Sequence, residues 1–286
     1  MCELNSKEII QKVADTLIKA SCVFPEDRIE AYKRAIAKDD AVSGWVMQQI
    51  LDNAAAAERV RLPMCDDTGI PHLLIEAGKN RSVSGELLEL IYEGVRTGLK
   101  ELPGRPMGVK GDDGRRIDQS EGLFEEPDMV LPAPVNISLS EDDDRLRLTV
   151  MMLGGGPEIR AKTYRVFHRH SVDVVLDEII SWGREAVKQL GCSPCTLAVG
   201  IGRSHYEAST LMLKAMAEGT LNKQSEYEKR ISDEVNASRI GALGLGGSVS
   251  VLGTFMKVGP QRASGVRIVC LRPCCCFEPR VLSVDL

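Results

Sequence analysis

A chain of 286 residues with 43% hydrophobic and 27% charged side chains is long and apolar enough to bury a sizeable core, which excludes a disordered protein. A net charge of −5, aromatics at only 4% and the lack of a basic stripe exclude a nucleic-acid footprint. No apolar run reaches the roughly 18 residues of a membrane span. The start, Met1-Cys2-Glu3-Leu4-Asn5, lacks the basic and apolar regions of a secretory signal, so a cytoplasmic location is expected. In such a reducing compartment the nine cysteines are more often metal ligands, catalytic thiols or small buried hydrophobes than disulfides.

Residues 1–60 read as a helical lead-in. Asn5 with Glu8 has the pattern of a capping box, and Ile9, Ile10, Val13 and Leu17 recur at helical spacing. Pro25 opens a second helix to about Lys38. A third begins after Ser43, with Trp45, Val46, Ile50 and Leu51 on one face and an alanine run from Ala54 to Ala57. The chain then reaches Leu62-Pro63-Met64-Cys65-Asp66-Asp67-Thr68-Gly69-Ile70-Pro71. Here a soft thiol stands beside two hard carboxylates, a hydroxyl and a turn glycine, bracketed by prolines. Few core segments need that mixture, because every buried polar group must find a partner. It suits a metal-centred site for a small acid or alcohol, with Cys65 as ligand and Asp66, Asp67 and Thr68 facing the substrate.

Beyond this stretch, Leu73 to Ile75 predict a short buried strand stopped at Gly78. Ser84 to Lys100 predict a helix with Leu87, Leu88, Ile91 and Val95 in register. Pro103 to Arg116 is rich in Gly, Pro and charge, ordinarily a solvated loop; its functional alternative offers Arg105 to a carboxylate. Between residues 134 and 152, Val135, Ile137 and Leu139 alternate with polar residues, as do Leu146, Leu148 and Val150. The acidic run Glu141–Asp144 separates them, which predicts a hairpin. The second run ends in Gly154-Gly155-Gly156-Pro157-Glu158, where backbone N–H groups can approach an anion.

A helix follows from Val172 to Leu190. Gly191-Cys192-Ser193-Pro194-Cys195 then leads into a buried strand through Ile201 and a helix from about Ser204 to Glu218. Gly200-x-Gly202 lacks the third glycine and the acidic ribose partner of a dinucleotide fingerprint. A further helix ends near Val235, a glycine-rich turn covers residues 240–247, and strands run from Val249 to Val258 and from Val266 to Leu271. The last delivers Cys274-Cys275-Cys276. With no repeat, heptad array or long linker, one compact mixed α/β domain over residues 1–286 is expected. Its helical part is 1–60, and its core of mixed strands and helices is 61–286.

A thioredoxin-type Cys-x-x-Cys opens a helix, whereas Cys192-Ser193-Pro194-Cys195 precedes a strand. Cys195 is therefore expected in the core and Cys192 as the ligand. The terminal triplet cannot place three thiols on one metal, so one ligand with bystanders is expected; the alternative is a frayed tail. The four histidines form no zinc or general-base pattern: His72 lies beside the Cys65 turn, His168 and His170 in a basic run, and His205 after a glycine turn. Three separated loop thiols, Cys65, Cys192 and one of the terminal set, suit zinc or an iron–sulfur cluster. Three ligands on a four-iron cube leave one iron open to substrate oxygens as a Lewis acid.

At these residues the chain resembles class I (iron–sulfur) fumarases and L(+)-tartrate dehydratases. Cys65-Asp66-Asp67-Thr68-Gly69 resembles their Cys-Gln/Asp-Asp-Thr-Gly motif, and Leu153 to Glu158 their Gly-Gly-Gly-Ser-Glu-Asn segment. Cys192-Ser193-Pro194 through Val199-Gly200-Ile201-Gly202 is similar to Cys-Pro-Pro followed by Val-Gly-Ile-Gly. Glu234-Val235-Asn236 through Gly244-Leu245-Gly246-Gly247 is similar to Glu-Ile-Asn through Gly-Leu-Gly-Gly. Cys276-Phe277-Glu278-Pro279-Arg280 resembles the closing Cys-aromatic-x-x-Arg. The resemblance implies a [4Fe-4S] cluster on Cys65, Cys192 and a third cysteine, with substrate on the unligated iron. The aromatic-and-Arg register picks Cys276 as that third ligand, which we prefer; an ungapped count from Gly247 picks Cys274. The resemblance also implies catalytic roles for Asp67 and Thr68. Substrate contacts would come from Asp66, Asp67 and Arg105, and from Gly154, Gly155 and Gly156 holding carboxylates.

Three departures leave the identity of the hydroxy acid open: Pro157-Glu158-Ile159 for Ser-Glu-Asn, Arg203-Ser204-His205 for Gly-Thr-Phe, and Arg262 near a usual His. The covered stretch corresponds to the family's α part, so the resemblance implies the α subunit of a hydro-lyase acting on a small dicarboxylate. A β subunit would complete it, as a heterotetramer, and supply a catalytic base. Two alternatives stand beside it: a zinc- or thiol-stabilised structural subunit without catalysis, and a thiol redox protein using Cys192 and Cys195.

Overall fold

Asn5 starts the first helix as its sequence predicts: its side chain accepts from the Glu8 N–H at 3.0 Å, and the Glu8 carboxylate accepts from the Asn5 N–H at 2.9 Å. The computed structural model describes residues 5–39 and 41–286; Cys2 and the rest of the Met1–Leu4 segment lie outside the described residues. In chain order the elements are α1 (Ser6–Cys22), α2 (Glu26–Ile36), α3 (Ala41–Val60), β1 (Ile70–Ala77), α4 (Gly85–Glu101) and α5 (Asp113–Asp118). There follow β2 (Asn136–Leu139), β3 (Leu146–Leu153), α6 (Gly155–Glu158), β4 (Lys162–Phe167), α7 (Val172–Leu190) and β5 (Cys195–Gly202). The chain continues through α8 (His205–Glu218), α9 (Glu226–Asn236), β6 (Val251–Val258), β7 (Val266–Cys274) and β8 (Arg280–Asp285). The predicted α/β class and the helical start hold. Within α3 the predicted face holds at Val46 and Ile50 but not at Trp45, which is 65% exposed; the buried stripe is Ser43, Val46, Met47, Ile50, Ala54 and Ala57. That stripe has the i, i+3, i+4, i+7 spacing of one helix face, and Trp45 falls off it.

Backbone contacts group the chain into two units. The first holds the residues up to Val23, Ala56–Gly154 and Arg280–Leu286; the second holds Phe24–Ala55 and Gly155–Pro279. The helical lead-in is thus shared out, with α1 in the first unit and α2 in the second. The chain passes between units four times, and only the crossing at Gly154–Pro157 is rich in glycine and proline.

In the first unit the sheet order is β2-β1-β3-β8, with β1 parallel to β2 and antiparallel to β3, and β3 antiparallel to β8. This corrects the predicted hairpin. β2 and β3 are consecutive, yet β1 lies between them, pairing Ile75 with Ile137 on one side and with Leu148 on the other. Alternation identifies a buried face but not a partner. Burial separates the two runs: Leu148, Val150, Met151 and Met152 are fully buried, as a central strand requires, while Ile137 and Leu139 on the edge strand are 51% and 79% exposed. Helices α1 and α4 cover one face through Val13, Leu17, Ile91 and Val95. A Cβ on Gly94 would lie 2.6 Å from that of Val13, so glycine permits this close approach. The frayed-tail alternative is also corrected: residues after the cysteine triplet form β8, with the Arg147–Asp285 ion pair at 3.0 Å and the Thr149–Ser283 hydroxyl pair at 2.8 Å tying it to β3.

In the second unit the order is β4-β7-β5-β6, with β5 parallel to β6 and antiparallel to β7, and β7 antiparallel to β4. Every residue of β5 is buried. Its Gly200 lies so close to α8 that a Cβ would stand 2.0 Å from the Ala208 carbonyl oxygen. Ile179, Val187, Leu197, Val199, Ile231, Val235, Val269 and Leu271 form the core between this sheet, α7 and α9.

Candidate active site

The Cys65 stretch is the loop between α3 and β1, and three bonds hold it within the first unit. Met64 N–H donates to the Ser21 carbonyl at 3.1 Å. The buried Thr68 hydroxyl accepts the Arg105 backbone N–H at 3.1 Å. Arg280, 1% exposed at the start of β8, donates from Nη1 to the Asp67 carbonyl at 2.8 Å and from Nε to the Met152 carbonyl at 3.0 Å. Gly69 closes the turn at φ +86, and a Cβ there would meet the Arg280 guanidinium and the Leu153 backbone at 2.8 Å. With its backbone fixed, the loop presents Cys65 half-buried and Asp66 outward. Asp66 accepts from Arg105 Nη1 at 2.8 Å, with both side chains more than half exposed. The predicted partners Asp66, Thr68 and Arg105 are thus together. The 103–127 loop that carries Arg105 is not wholly irregular: Asp112 caps the short α5, and Val109 bridges Leu123.

The second unit holds the remaining thiols. Cys192 is exposed in the turn before β5, and Cys195 is fully buried in the strand, as predicted. Burial pushes the Cys195 thiol well above its ordinary range. That is the opposite of the low pKa a redox pair uses, so the thiol redox alternative loses its second cysteine. Ser193 donates to the Gly241 carbonyl at 2.6 Å and Leu243 N–H donates back to the Ser193 carbonyl at 3.0 Å, so the glycine-rich 240–247 turn braces the Cys192 turn. Tyr32 of α2 shares its phenol proton between the Pro194 carbonyl at 3.2 Å and the Cys276 carbonyl at 2.9 Å, clamping the two cysteine turns together. The Cys276 thiol is hydrogen-bonded to Cys192 and to Cys275; these contacts and burial raise it well above its usual value.

Cys274 ends β7 and is fully buried, its thiol 3.5 Å from Met216 Sδ and 3.8 Å from Arg272 Nη1. Burial raises it to about 11. The turn that follows hangs on an ion pair the sequence did not single out. Arg272 Nη1 donates to Glu278 at 2.6 Å with both side chains fully buried, and its Nε donates to Glu158 of α6 at 3.0 Å. Burial pulls the Arg272 guanidinium down, but Glu278 and Glu158 outweigh it and hold the group above its ordinary value. Glu158 closes the Gly154–Gly156 segment, so one arginine ties the glycine turn to the cysteine turn. That segment forms a single helical turn, in which Ile159 N–H donates to the Gly155 carbonyl at 3.1 Å, and the Arg160 side chain donates from Nη1 to the Gly156 carbonyl at 3.0 Å.

Among the described residues no group of three or more His, Cys, Asp or Glu side chains converges as a metal site. The donor chemistry still fits a soft metal: Cys192 and Cys276 are in thiol contact within one unit, and Cys65 is a half-buried loop thiol in the other. His72 Nδ1 donates to Ile70 at 3.0 Å, His168 Nε2 donates to Ser264 at 2.7 Å, and His205 is exposed at the start of α8. Arg272 and Arg280 were invisible as site supports because arginines at strand ends read as exposed. The only sequence signal was the Cys276-Phe277-Glu278-Pro279-Arg280 motif itself.

The profile described as fumarate hydratase (fumerase) matches residues 10–284. A Methanocaldococcus jannaschii protein named "Putative L(+)-tartrate dehydratase subunit alpha" is 26% identical over 279 residues, covering 91% of this chain and 94% of that one. The L(+)-tartrate dehydratase subunit alpha of Escherichia coli strain K12 is 23% identical over 287 residues, covering 96% and 91%. That of Escherichia coli strain UTI89 is 23% identical over 297 residues, covering 99% and 94%. With the family profile matching from α1 through β8, the chain belongs to the fumarate hydratase (fumerase) family.

Proposed function

We propose that this chain is the α subunit of an iron–sulfur hydro-lyase. It would reversibly remove water from a small 2-hydroxy dicarboxylic acid of the malate/fumarate or tartrate type, in the cytoplasm, completed by a β subunit in a heterotetramer. The observation that carries this is the pairing of the Cys192 and Cys276 thiols by two braced turns, at positions where the family motifs fall. Cys65, Cys192 and Cys276 are proposed as the ligands of a [4Fe-4S] cluster. Cys276 is favoured over Cys274 because the Cys274 thiol is buried against Met216 and Arg272. When bound, the cluster supplies a Lewis acid at the iron without a protein ligand.

The chain's own residues would do the rest. An exposed ion pair contributes about 0–1 kcal/mol, so Arg105 exchanges Asp66 for a substrate carboxylate at little cost, and can hold it by a two-pronged contact. The N–H groups of Gly154, Gly155 and Gly156 hold the other carboxylate, and Asp66 turns toward the substrate hydroxyls. Asp67, whose backbone Arg280 fixes, orients the leaving hydroxyl or relays its proton, and Thr68 keeps Arg105 in place. A base on the β subunit takes the proton from the adjacent carbon, so one C–H and one C–O bond break, a C=C bond forms and water leaves. The test is turnover by the anaerobically reconstituted αβ complex on fumarate, L-malate and the tartrate isomers. Reversible water loss from one of them is expected, and no turnover on any would contradict the proposal.

A further inference from the structure

Arg28 has no explained partner at the site described above. It lies in the first turn of α2, only 4% exposed, and among the described residues its Nε and Nη1 find no hydrogen-bond partner. Buried polar groups in native proteins are nearly always bonded, and a buried charge without a matching anion is strongly unfavourable. The start of a helix is also the wrong end for a cation. Such a group calls for a ligand or a function.

Its surroundings point to the cysteine turn. The guanidinium lies 6.0 Å from the Phe24 ring centroid. Phe24 in turn packs against Tyr32 at 5.7 Å and Phe277 at 6.1 Å. Tyr32, one helical turn after Arg28 on the same buried face, is the residue that donates to the Cys276 carbonyl. Among the described residues, the titratable groups whose charge acts on Arg28 are Cys274, Asp27, Tyr32 and Cys275. Asp27 is engaged elsewhere, accepting from the Thr220 hydroxyl at 3.0 Å and the Leu221 N–H at 2.8 Å. Burial keeps the Tyr32 phenol protonated. Burial likewise pulls the Arg28 guanidinium below its ordinary value, as expected of a cation whose counter-charge is missing.

We propose that Arg28 is the counter-charge for an anionic, sulfur-rich metal group seated at the Cys274–Cys276 turn, donating its Nε and Nη1 hydrogens to thiolate or sulfide sulfur. It rests on the cluster-binding function proposed above and adds a residue to it. Arg28 is then a positioning residue that favours retention and the more negative redox state of the group, without touching the substrate.

The test uses the full-length chain, first metal-free and then reconstituted anaerobically with iron and sulfide. Wild type, Arg28→Met and Arg28→Lys are compared. In the metal-free chain Arg28→Met should raise the thermal midpoint, because it removes an uncompensated buried charge. After reconstitution the same variant should lose iron to a chelator about tenfold faster. Its reduction midpoint should fall by about 59 mV, the equivalent of a tenfold change for one electron. Arg28→Lys, which keeps the charge, should lie nearer wild type in midpoint than Arg28→Met. A metal-free Arg28→Met chain that is less stable or fails to fold would assign Arg28 to the scaffold and overturn the inference. So would a cluster in Arg28→Met with wild-type retention and midpoint. Wild type that takes up no cluster would overturn the cluster-binding function itself, and this inference with it.

Discussion

Gly69 and Arg280 show how little freedom the Cys65 loop has. Gly69 at φ +86 allows the Arg280 guanidinium to reach the Asp67 carbonyl, and a methyl group there meets it at 2.8 Å. Gly69→Ala should therefore destabilise the fold by about 1–3 kcal/mol, read as a lower denaturant midpoint at unchanged slope. With Arg105 in its proposed role on a substrate carboxylate, Arg105→Ala should raise KM at least about tenfold, because a charged contact would be lost; an unchanged KM would remove Arg105 from the site. Cys22 gives a pH signature. Burial raises its thiol from 9.0 to about 11, so between those values the unfolded chain has lost a proton that the folded chain keeps. Its contribution is fully present below pH 9 and declines as pH rises through 11, by an amount on the order of 2–3 kcal/mol. Urea titrations at pH 8 and pH 10.5 should show Cys22→Ala losing less stability over that interval than wild type. Cys65 and its neighbours were legible in sequence because a thiol, two carboxylates and a hydroxyl rarely adjoin. Arg28 and Arg272 were not, because a single arginine carries no mark of burial, and Arg280 showed only through the closing motif.

Elements were legible where periodicity and caps agreed. α4, α7, α8 and β5 fall where Ser84, Ser171, Ser204 and the glycine turns place them, and each of the three serines accepts the N–H three residues on. Strand partners were not legible, since β2 and β3 alternate alike whether they pair with each other or flank β1. β8 was missed because its residues alternate weakly and follow a cysteine triplet. At this scale the Arg272–Glu278 pair matters most, since it ties the end of β7 to the turn that carries Cys276. Glu278→Gln leaves a buried guanidinium short of its anion and should cost about 3–5 kcal/mol. Arg272→Met with Glu278→Met, which removes both charges, should be less damaging to stability than either single change. Equal losses in the single and double variants would show that packing, not charge, sets the turn.

Across the whole molecule, order along the chain carried more than any one motif. The family profile covers residues 10–284, and the chain returns to the first unit at Arg280, immediately after the cysteine turn of the second. Two units built from interleaved segments are hard to read from sequence, because nothing at Val23, Ala55 or Pro279 resembles a linker and the glycine run at Gly154 reads equally well as a binding turn. Cys65, Cys192 and Cys276 are proposed together to hold a four-iron cluster. The most direct measurement is iron and acid-labile sulfide content per chain after anaerobic reconstitution, with the EPR spectrum of the reduced protein, for wild type and for Cys65→Ser, Cys192→Ser, Cys276→Ser and Cys274→Ser. Wild type and Cys274→Ser should carry equal iron and sulfide and give a cluster signal, and the other three should carry little of either. Zinc at one per chain without labile sulfide, or a cluster that survives Cys276→Ser but not Cys274→Ser, would contradict it.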